Sequence, residues 1–379
     1  MKPLAFVLSH DVTVSRLLSV SQFDRELDSL RNQLAVFGEV NLVSRDRSDP
    51  AVALPLAGVR YARSRWLYRA PRLYAWLVPI VFGRALRDSC GAYYHHYVAA
   101  FGAPLARRLY GARYMVACNW MKSEVIAAEG FPVRAALHRR LEAAVLGGAE
   151  LVTVGSLHLE PAVRARAGAR VEIMPRVHYI DPARFPAKED YRAGDVFRLV
   201  AVGRLAPVKD YPLLISAVAA CTGVELSIIA GGHDEAALRR LAEELRAPVV
   251  FSGYVENARL AERLRGFDAY VMTSRYEGTP KSLLEAMAVG LPCVARETAA
   301  FRDLLAPDRG LLVPGEVEPL REAVLRLARD PELRRRLGGR ARDYVYTHHS
   351  REVSDRQERA ALQRFREILQ GREAAHASP

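Results

Sequence analysis

The sequence predicts an α/β protein made of two Rossmann-like, doubly wound domains in series. Three observations carry that expectation. Apolar, β-branched runs alternate with amphipathic helical runs through the second half of the chain. The first half repeats the rhythm less cleanly. A chain of 379 residues also exceeds one ordinary domain of roughly 100–200 residues.

The elements follow in order. Residues 3–8 read as a first strand, and helical spacing runs over 15–37. Further strands fall at 39–43, 92–95, 113–118, 150–154 and 171–174. Helical patterns lie at 98–110, 134–146 and 157–167. Residues 181–195 are rich in Pro, Gly and charge and read as the linker. Strands then recur at 197–202, 224–230, 248–252, 267–273, 292–295 and 310–313. Helices separate them: one from about Pro212, then 235–246, 257–265, 280–289, a short one near Thr298, and 318–328. Residues 354–369 form a charged amphipathic helix, and 371–379 look frayed. The expected domains are 1–188 and 189–350, facing each other across a cleft, with 351–379 returning to the first.

Composition narrows the function classes. Half the residues are hydrophobic and 26% are charged, as in ordinary globular proteins. No run approaches the roughly 20 apolar residues of a membrane span; the longest candidate, 73–83, is interrupted by Pro79. The N-terminal apolar run is too short for a signal peptide, so a cytoplasmic chain is expected. The four cysteines are scattered, which gives neither zinc spacing nor a disulfide framework. The net charge is +12, and residues 1–190 hold 26 Lys+Arg against 17 Asp+Glu. A basic first half points to an anionic partner.

Parallel sheets bind ligands just beyond the carboxyl ends of their strands, so those loops carry the candidates. After the strand at 197–202 comes Gly203-Arg204-Leu205-Ala206-Pro207-Val208-Lys209-Asp210. Gly203 admits a close ligand. Arg204 and Lys209 could clamp a diphosphate, or they could be two solvated cations. Gly231 and Gly232 follow the next strand and could leave room for a ligand or make a tight turn. The strongest string is Glu277-Gly278-Thr279-Pro280-Lys281-Ser282-Leu283-Leu284-Glu285. Thr279 suits a helix cap and Pro280 a first helical residue. The helix start would aim N–H groups and a positive dipole end at a ligand. Lys281 adds positive charge there, a conflict that a bound anion would remove. Glu277 and Glu285 can accept hydrogen bonds from sugar or ribose hydroxyls.

This string, with VGRLAPVKDY upstream and FSGYVEN between, resembles the donor signature of retaining glycosyltransferases of GT-B fold, family four. The resemblance covers about residues 195–350. It implies that Arg204 and Lys209 hold the donor diphosphate, Glu277 the donor sugar and Glu285 the ribose. Gly278, Thr279, Pro280 and Lys281 would line the phosphate and sugar, and the main chain at Tyr254 and Val255 would meet the base. No metal ligands and no cofactor are implied, because the nucleotide sugar is a co-substrate.

The first half departs from the family. The loop after the first strand, Ser9-His10-Asp11-Val12-Thr13-Val14-Ser15-Arg16, has no glycine. Asn119 stands where the family often has a histidine. His10, Arg16, His95, His96 and Asn119 are the candidates for an acceptor cleft. Residues 60–87 carry seven arginines, Arg60, Arg63, Arg65, Arg69, Arg72, Arg84 and Arg87, interleaved with six aromatics and no acid. That composition suits an anionic membrane surface; a solvated Arg face and a nucleic-acid groove are the alternatives, the last the weakest. The expected function is retaining transfer of a sugar to a lipid-linked or membrane-associated glycan, with the chain peripheral at the inner face of the membrane and no nucleic-acid partner. An epimerase or phosphorylase on the same fold and a non-catalytic binding protein are the alternatives.

Overall fold

The computed structural model describes residues 2–9, 12–14, 23–46 and 56–376. The chain divides into two compact units. The first comprises Met1–Ser123, Ala136–Val177 and Ser354–Pro379; the second comprises Glu124–Ala135 and His178–Val353.

The first unit is built on a parallel sheet of β1 (Leu4–Val7), β2 (Val40–Ser44), β3 (Val59–Arg63), β4 (Gly91–Tyr94), β5 (Tyr114–Cys118), β6 (Leu151–Val154) and β7 (Glu172–Pro175). Its order is β3-β2-β1-β4-β5-β6-β7, so the direction of winding reverses between β1 and β4. Strands β1, β2, β4, β5 and β6 are buried throughout, which explains why they are mostly apolar, with Asn41, Ser44 and Thr153 the buried polar residues among them. Ala361, Leu362, Phe365 and Leu369 of the C-terminal helix join Leu4, Phe6 and Leu42 in one core. Each such Leu or Phe side chain taken fully from water contributes about 1.5–3 kcal/mol. Beside that core, Glu358 is 3% exposed and accepts from Ser29 Oγ at 2.6 Å and Asn32 Nδ2 at 3.0 Å, with Arg176 at 3.1 Å.

The second unit repeats the design with β8 (Phe197–Val202), β9 (Val224–Ile229), β10 (Val249–Phe251), β11 (Ala269–Met272), β12 (Cys293–Arg296) and β13 (Leu311–Val313). The order is β10-β9-β8-β11-β12-β13, all parallel, and here the reversal lies between β8 and β11. Alternate residues of β8 enter different cores, Leu199 and Ala201 one and Val200 the other, so helices cover both faces.

Several elements differ from the sequence expectation. Residues 60–87 begin as strand β3 and continue as helices Arg65–Arg69, Pro71–Val81 and Gly83–Arg87. Pro79 lies inside the middle helix and removes the N–H that would bond Ala75. The N–H of Gly102 donates to the Ala75 carbonyl instead, at 2.8 Å, which keeps the helix whole. A helix over Pro331–His348 was not expected, because Gly338-Gly339 interrupts it. A Cβ at Gly338 would meet the Gly290 carbonyl, so this glycine serves close packing. The C-terminal helix also runs beyond residue 369, to His376.

Candidate active site

Where the winding of a parallel sheet reverses, neighbouring strand-end loops part and leave a crevice. In the second unit those loops are 203–210, after β8, and 273–280, after β11. Lys209 comes from the first and Glu277 from the second. Lys209 Nζ lies 2.5 Å from Glu277 Oε1, with the two side chains 17% and 13% exposed. The pair is largely withdrawn from solvent at the point where the fold places ligands.

The loop after β8 is shaped by its neighbours. Gly203 has φ 155°, and Lys209 Nζ lies 3.5 Å from where its Cβ would be. The Gly203 carbonyl accepts from Tyr211 Oη at 2.9 Å. Leu205 bridges to Gly232, and a Cβ on Gly232 would meet the Leu205 carbonyl. Gly232 thus makes room for the loop bearing Arg204, while Gly231 is open, with nothing near its Cβ position. Arg204 is exposed.

Lys209 is seated by a latch that the sequence did not disclose. Asp210 adopts the left-handed conformation, φ 53° and ψ 46°, uncommon for a residue with a side chain. Its carboxylate is nearly buried and meets Arg275 Nε and Arg296 Nη1, each at 3.0 Å. Thr273 Oγ1 lies 2.9 Å from the Lys209 carbonyl and 3.1 Å from that of Asp210. The Arg275 N–H donates to the Val208 carbonyl at 2.8 Å. The signals for this latch were one acid beside Lys209 and two arginines at strand ends, which look like ordinary surface charge in a sequence.

The helix Lys281–Val289 follows. Its cap position is held by Pro280, not Thr279, and no side chain caps it, so the expected Thr279 cap is corrected. The Lys281 N–H turns back to the Thr279 carbonyl at 2.8 Å, which makes Pro280 part of a tight turn. The expected conflict at Lys281 is relieved from within: its Nζ lies 3.2 Å from Glu285 Oε1, one turn on. Glu285 is 3% exposed, and a buried carboxylate needs such a partner. Ser282 Oγ donates to the Val202 carbonyl at 3.0 Å and accepts from Tyr270 Oη at 2.9 Å, which ties the helix start to the end of β8. Gly278, just before this turn, is buried. Tyr254 is 83% exposed and Val255 packs against the core, on the turn beyond β10.

In the first unit the reversal lies between β1 and β4, and His95 stands there. Its Nδ1 is 3.2 Å from Ser9 Oγ and its Nε2 3.1 Å from Glu26 Oε1. Burial alone would raise the Glu26 pKa, but His95, Arg176 and Arg25 hold it down at about 2. His96 is 5% exposed and stacks on Trp120. The N–H groups of Asn119 and Val98 approach its two ring nitrogens at 3.3 and 3.4 Å. A neutral imidazole accepts at one nitrogen only, so one of the two is packing. His96 therefore belongs to the wall of the loop rather than to an open surface, and Asn119 touches it through its main chain. His10 and Arg16 lie outside the described residues. Burial pushes the thiols of Cys118, Cys221 and Cys293 up, so they stay neutral. Among the described residues no helix is long and apolar enough to cross a membrane.

Known proteins agree with this architecture. Residues 187–344 match the family model described as glycosyl transferases group 1. A GDP-mannose-dependent monoacylated alpha-(1-6)-phosphatidylinositol monomannoside mannosyltransferase of Corynebacterium glutamicum is 32% identical over 162 residues, 40% of this chain and 42% of that protein. A GDP-mannose-dependent alpha-mannosyltransferase of Mycobacterium tuberculosis is 38% identical over 119 residues, 31% and 30% of the two chains. The match thus spans less than half the length of either relative. Among solved structures, sucrose-phosphate synthase from Thermosynechococcus elongatus superposes with a TM-score of 0.76 at 20% identity, covering 99% of this chain and 100% of that one. Anabaena HepE in complex with UDP and glucose gives 0.71 at 15% identity, covering 98% and 100%. The two parallel α/β units and these superpositions give the chain a GT-B fold, and its residues 187–344 are similar to the glycosyl transferases group 1.

Proposed function

We propose that the chain transfers a sugar from a nucleotide-sugar donor, with retention of anomeric configuration, to a lipid-linked or membrane-associated glycan. The observation that carries this is the Lys209–Glu277 pair at the reversal of the second sheet, next to the start of the Lys281–Val289 helix. Lys209 and Arg204 neutralise the departing nucleoside diphosphate. Glu277 holds hydroxyls of the donor sugar, and Glu285 those of the ribose. The arrangement brings fixed charge to the place where negative charge develops, in a loop already ordered before the reaction. No metal ligand set and no cofactor is part of this proposal. Both relatives described above are named as GDP-mannose-dependent, so GDP-mannose leads the donors to test.

The first unit supplies the membrane contact. Trp66, Leu73, Trp76 and Ile80 are 56%, 48%, 44% and 63% exposed on the helices that follow β3. Exposed Arg69, Arg72, Arg84 and Arg87 lie on the same helical segments. Aromatics and aliphatics that enter the interface, among arginines that meet anionic headgroups, fit a peripheral position on a membrane. The inner leaflet is the proposed location.

The test is incubation of the purified chain with GDP-mannose or UDP-glucose and a membrane lipid extract. Glycolipid product with the donor's anomeric configuration, read by NMR, is expected. Release of an epimerised sugar without acceptor would replace the transferase by an epimerase. Absence of nucleotide binding across a panel of donors would leave a binding protein.

A further inference from the structure

We infer that Asp210 is a positioning residue for Lys209, acting through Arg275 and Arg296. The inference rests on the reading of Lys209 as a diphosphate-binding cation and adds the device that sets its place. Three groups bind the loop after β8 to the loop after β11 and the end of β12: the Asp210 carboxylate on Arg275 and Arg296, Thr273 Oγ1 beside the Lys209 and Asp210 carbonyls, and the Arg275 N–H on the Val208 carbonyl. Lys209 and Glu277 stand on these same two loops, so the latch fixes the distance between them.

A side chain at φ 53° is strained unless its surroundings hold it. Glycine would adopt this conformation without strain. Asp210 can remain because both arginines meet its carboxylate. Arg296 is itself held from the far side: its Nη2 donates to the Gly315 carbonyl at 3.2 Å, and a Cβ on Gly315 would overlap its guanidinium. A chain of contacts therefore runs from Gly315, beyond β13, through Arg296 and Asp210 to the main chain of Lys209. Arg275 is half exposed and Arg296 is 17% exposed, so Arg296 is the more firmly seated arm. A diphosphate-binding cation on a loose loop would lose affinity to the ordering of that loop, and the latch makes that ordering in advance.

The experiment uses the full chain and isothermal titration with GDP, UDP and ADP, beside kcat and KM for the best donor. Asp210→Asn keeps the backbone preference but removes the charge; Gly315→Ala displaces Arg296 from a site remote from the donor. Each is expected to weaken nucleoside diphosphate binding by about fivefold to tenfold and to raise donor KM more than it lowers kcat. In a Lys209→Ala background the Asp210→Asn effect should vanish, because the residue it positions is gone. Full effect of Asp210→Asn in that background, or wild-type affinity in both single variants, overturns the inference while the donor assignment stands. Wild-type affinity in Lys209→Ala overturns the donor assignment and the inference with it. Should Asp210→Asn fail to fold, Gly315→Ala in the two backgrounds decides by the same comparison.

Discussion

Lys209 and Glu277 come from loops that leave two different strands, and their charged ends meet at 2.5 Å. Each neutralises the other in the unliganded chain. Removing one therefore has two effects: it deletes a group from the site and leaves its partner short of a counter-charge. Lys209→Ala should lower stability by about 1–3 kcal/mol through Glu277. It should also lower turnover by at least about tenfold, equal to about 1.4 kcal/mol of transition-state stabilisation. Arg204→Ala, at an exposed residue, should give the same loss of turnover with an unchanged melting temperature. Thermal melts and initial rates on the two variants check both statements. Unchanged turnover in both would remove the diphosphate clamp.

The two glutamates should separate in binding experiments. Glu277→Gln should impair sugar transfer and spare binding of free GDP or UDP. Glu285→Gln should weaken binding of the nucleotide and the nucleotide sugar alike, and it also strips Lys281 of its partner at 3.2 Å. Calorimetry decides, and identical profiles for the two variants would show that the roles are misassigned.

Gly232→Ala should act at a distance. A Cβ there meets the Leu205 carbonyl, so the loop carrying Arg204 must move. Overpacking of this kind costs about 1–3 kcal/mol. Donor KM should rise, whereas Gly231→Ala, with open space around it, should change little. Equal behaviour of the two variants in kinetics would contradict this account of the glycine pair.

Acid should destabilise the first unit through Glu26. Its pKa falls from 4.5 to about 2 because His95, Arg176 and Arg25 outweigh the effect of burial. A depressed carboxylate stabilises the fold above its unfolded pKa and loses that contribution as pH falls through the folded value. The window therefore lies between about pH 5 and about pH 2, and the contribution is on the order of 3 kcal/mol. Denaturant unfolding of wild type should weaken across that window more than unfolding of Glu26→Gln. Parallel pH profiles would show that Glu26 is not the group responsible.

Membrane binding should depend on two kinds of residue. Pelleting with anionic liposomes at low salt is expected, with much less on neutral vesicles, because each arginine near the surface contributes up to about 1 kcal/mol. Replacing Arg69, Arg72, Arg84 and Arg87 by Ser should abolish the preference for anionic lipid. Trp66→Ser with Trp76→Ser should weaken binding in a manner that added salt does not reproduce. Donor binding should be untouched in both. Indifference of the wild type to anionic vesicles at low salt would leave these helices as a solvated surface.

The sequence by itself determined the alternation of strands and helices, and from it the two doubly wound sheets. This is because fully buried parallel strands such as Ala269–Met272 must be apolar along their whole length. It also put glycines, cations and acids in the segments after β8 and β11, the two loops that the sheet order makes neighbours. Strand β3 escaped notice because it is half exposed, so its residues carry no apolar period. The helix Pro71–Val81 was obscured by Pro79, whose missing N–H is offset by Gly102, a residue distant in sequence. The cap at Pro280 turned on one backbone bond from Lys281 to Thr279. Only the tertiary structure could pair Lys209 with Glu277, set Asp210 between Arg275 and Arg296, or place His95 between Ser9 and Glu26. Periodicity reports which face of an element is buried. The pairing of charges depends on which strands become neighbours, and the order of the sheet decides that.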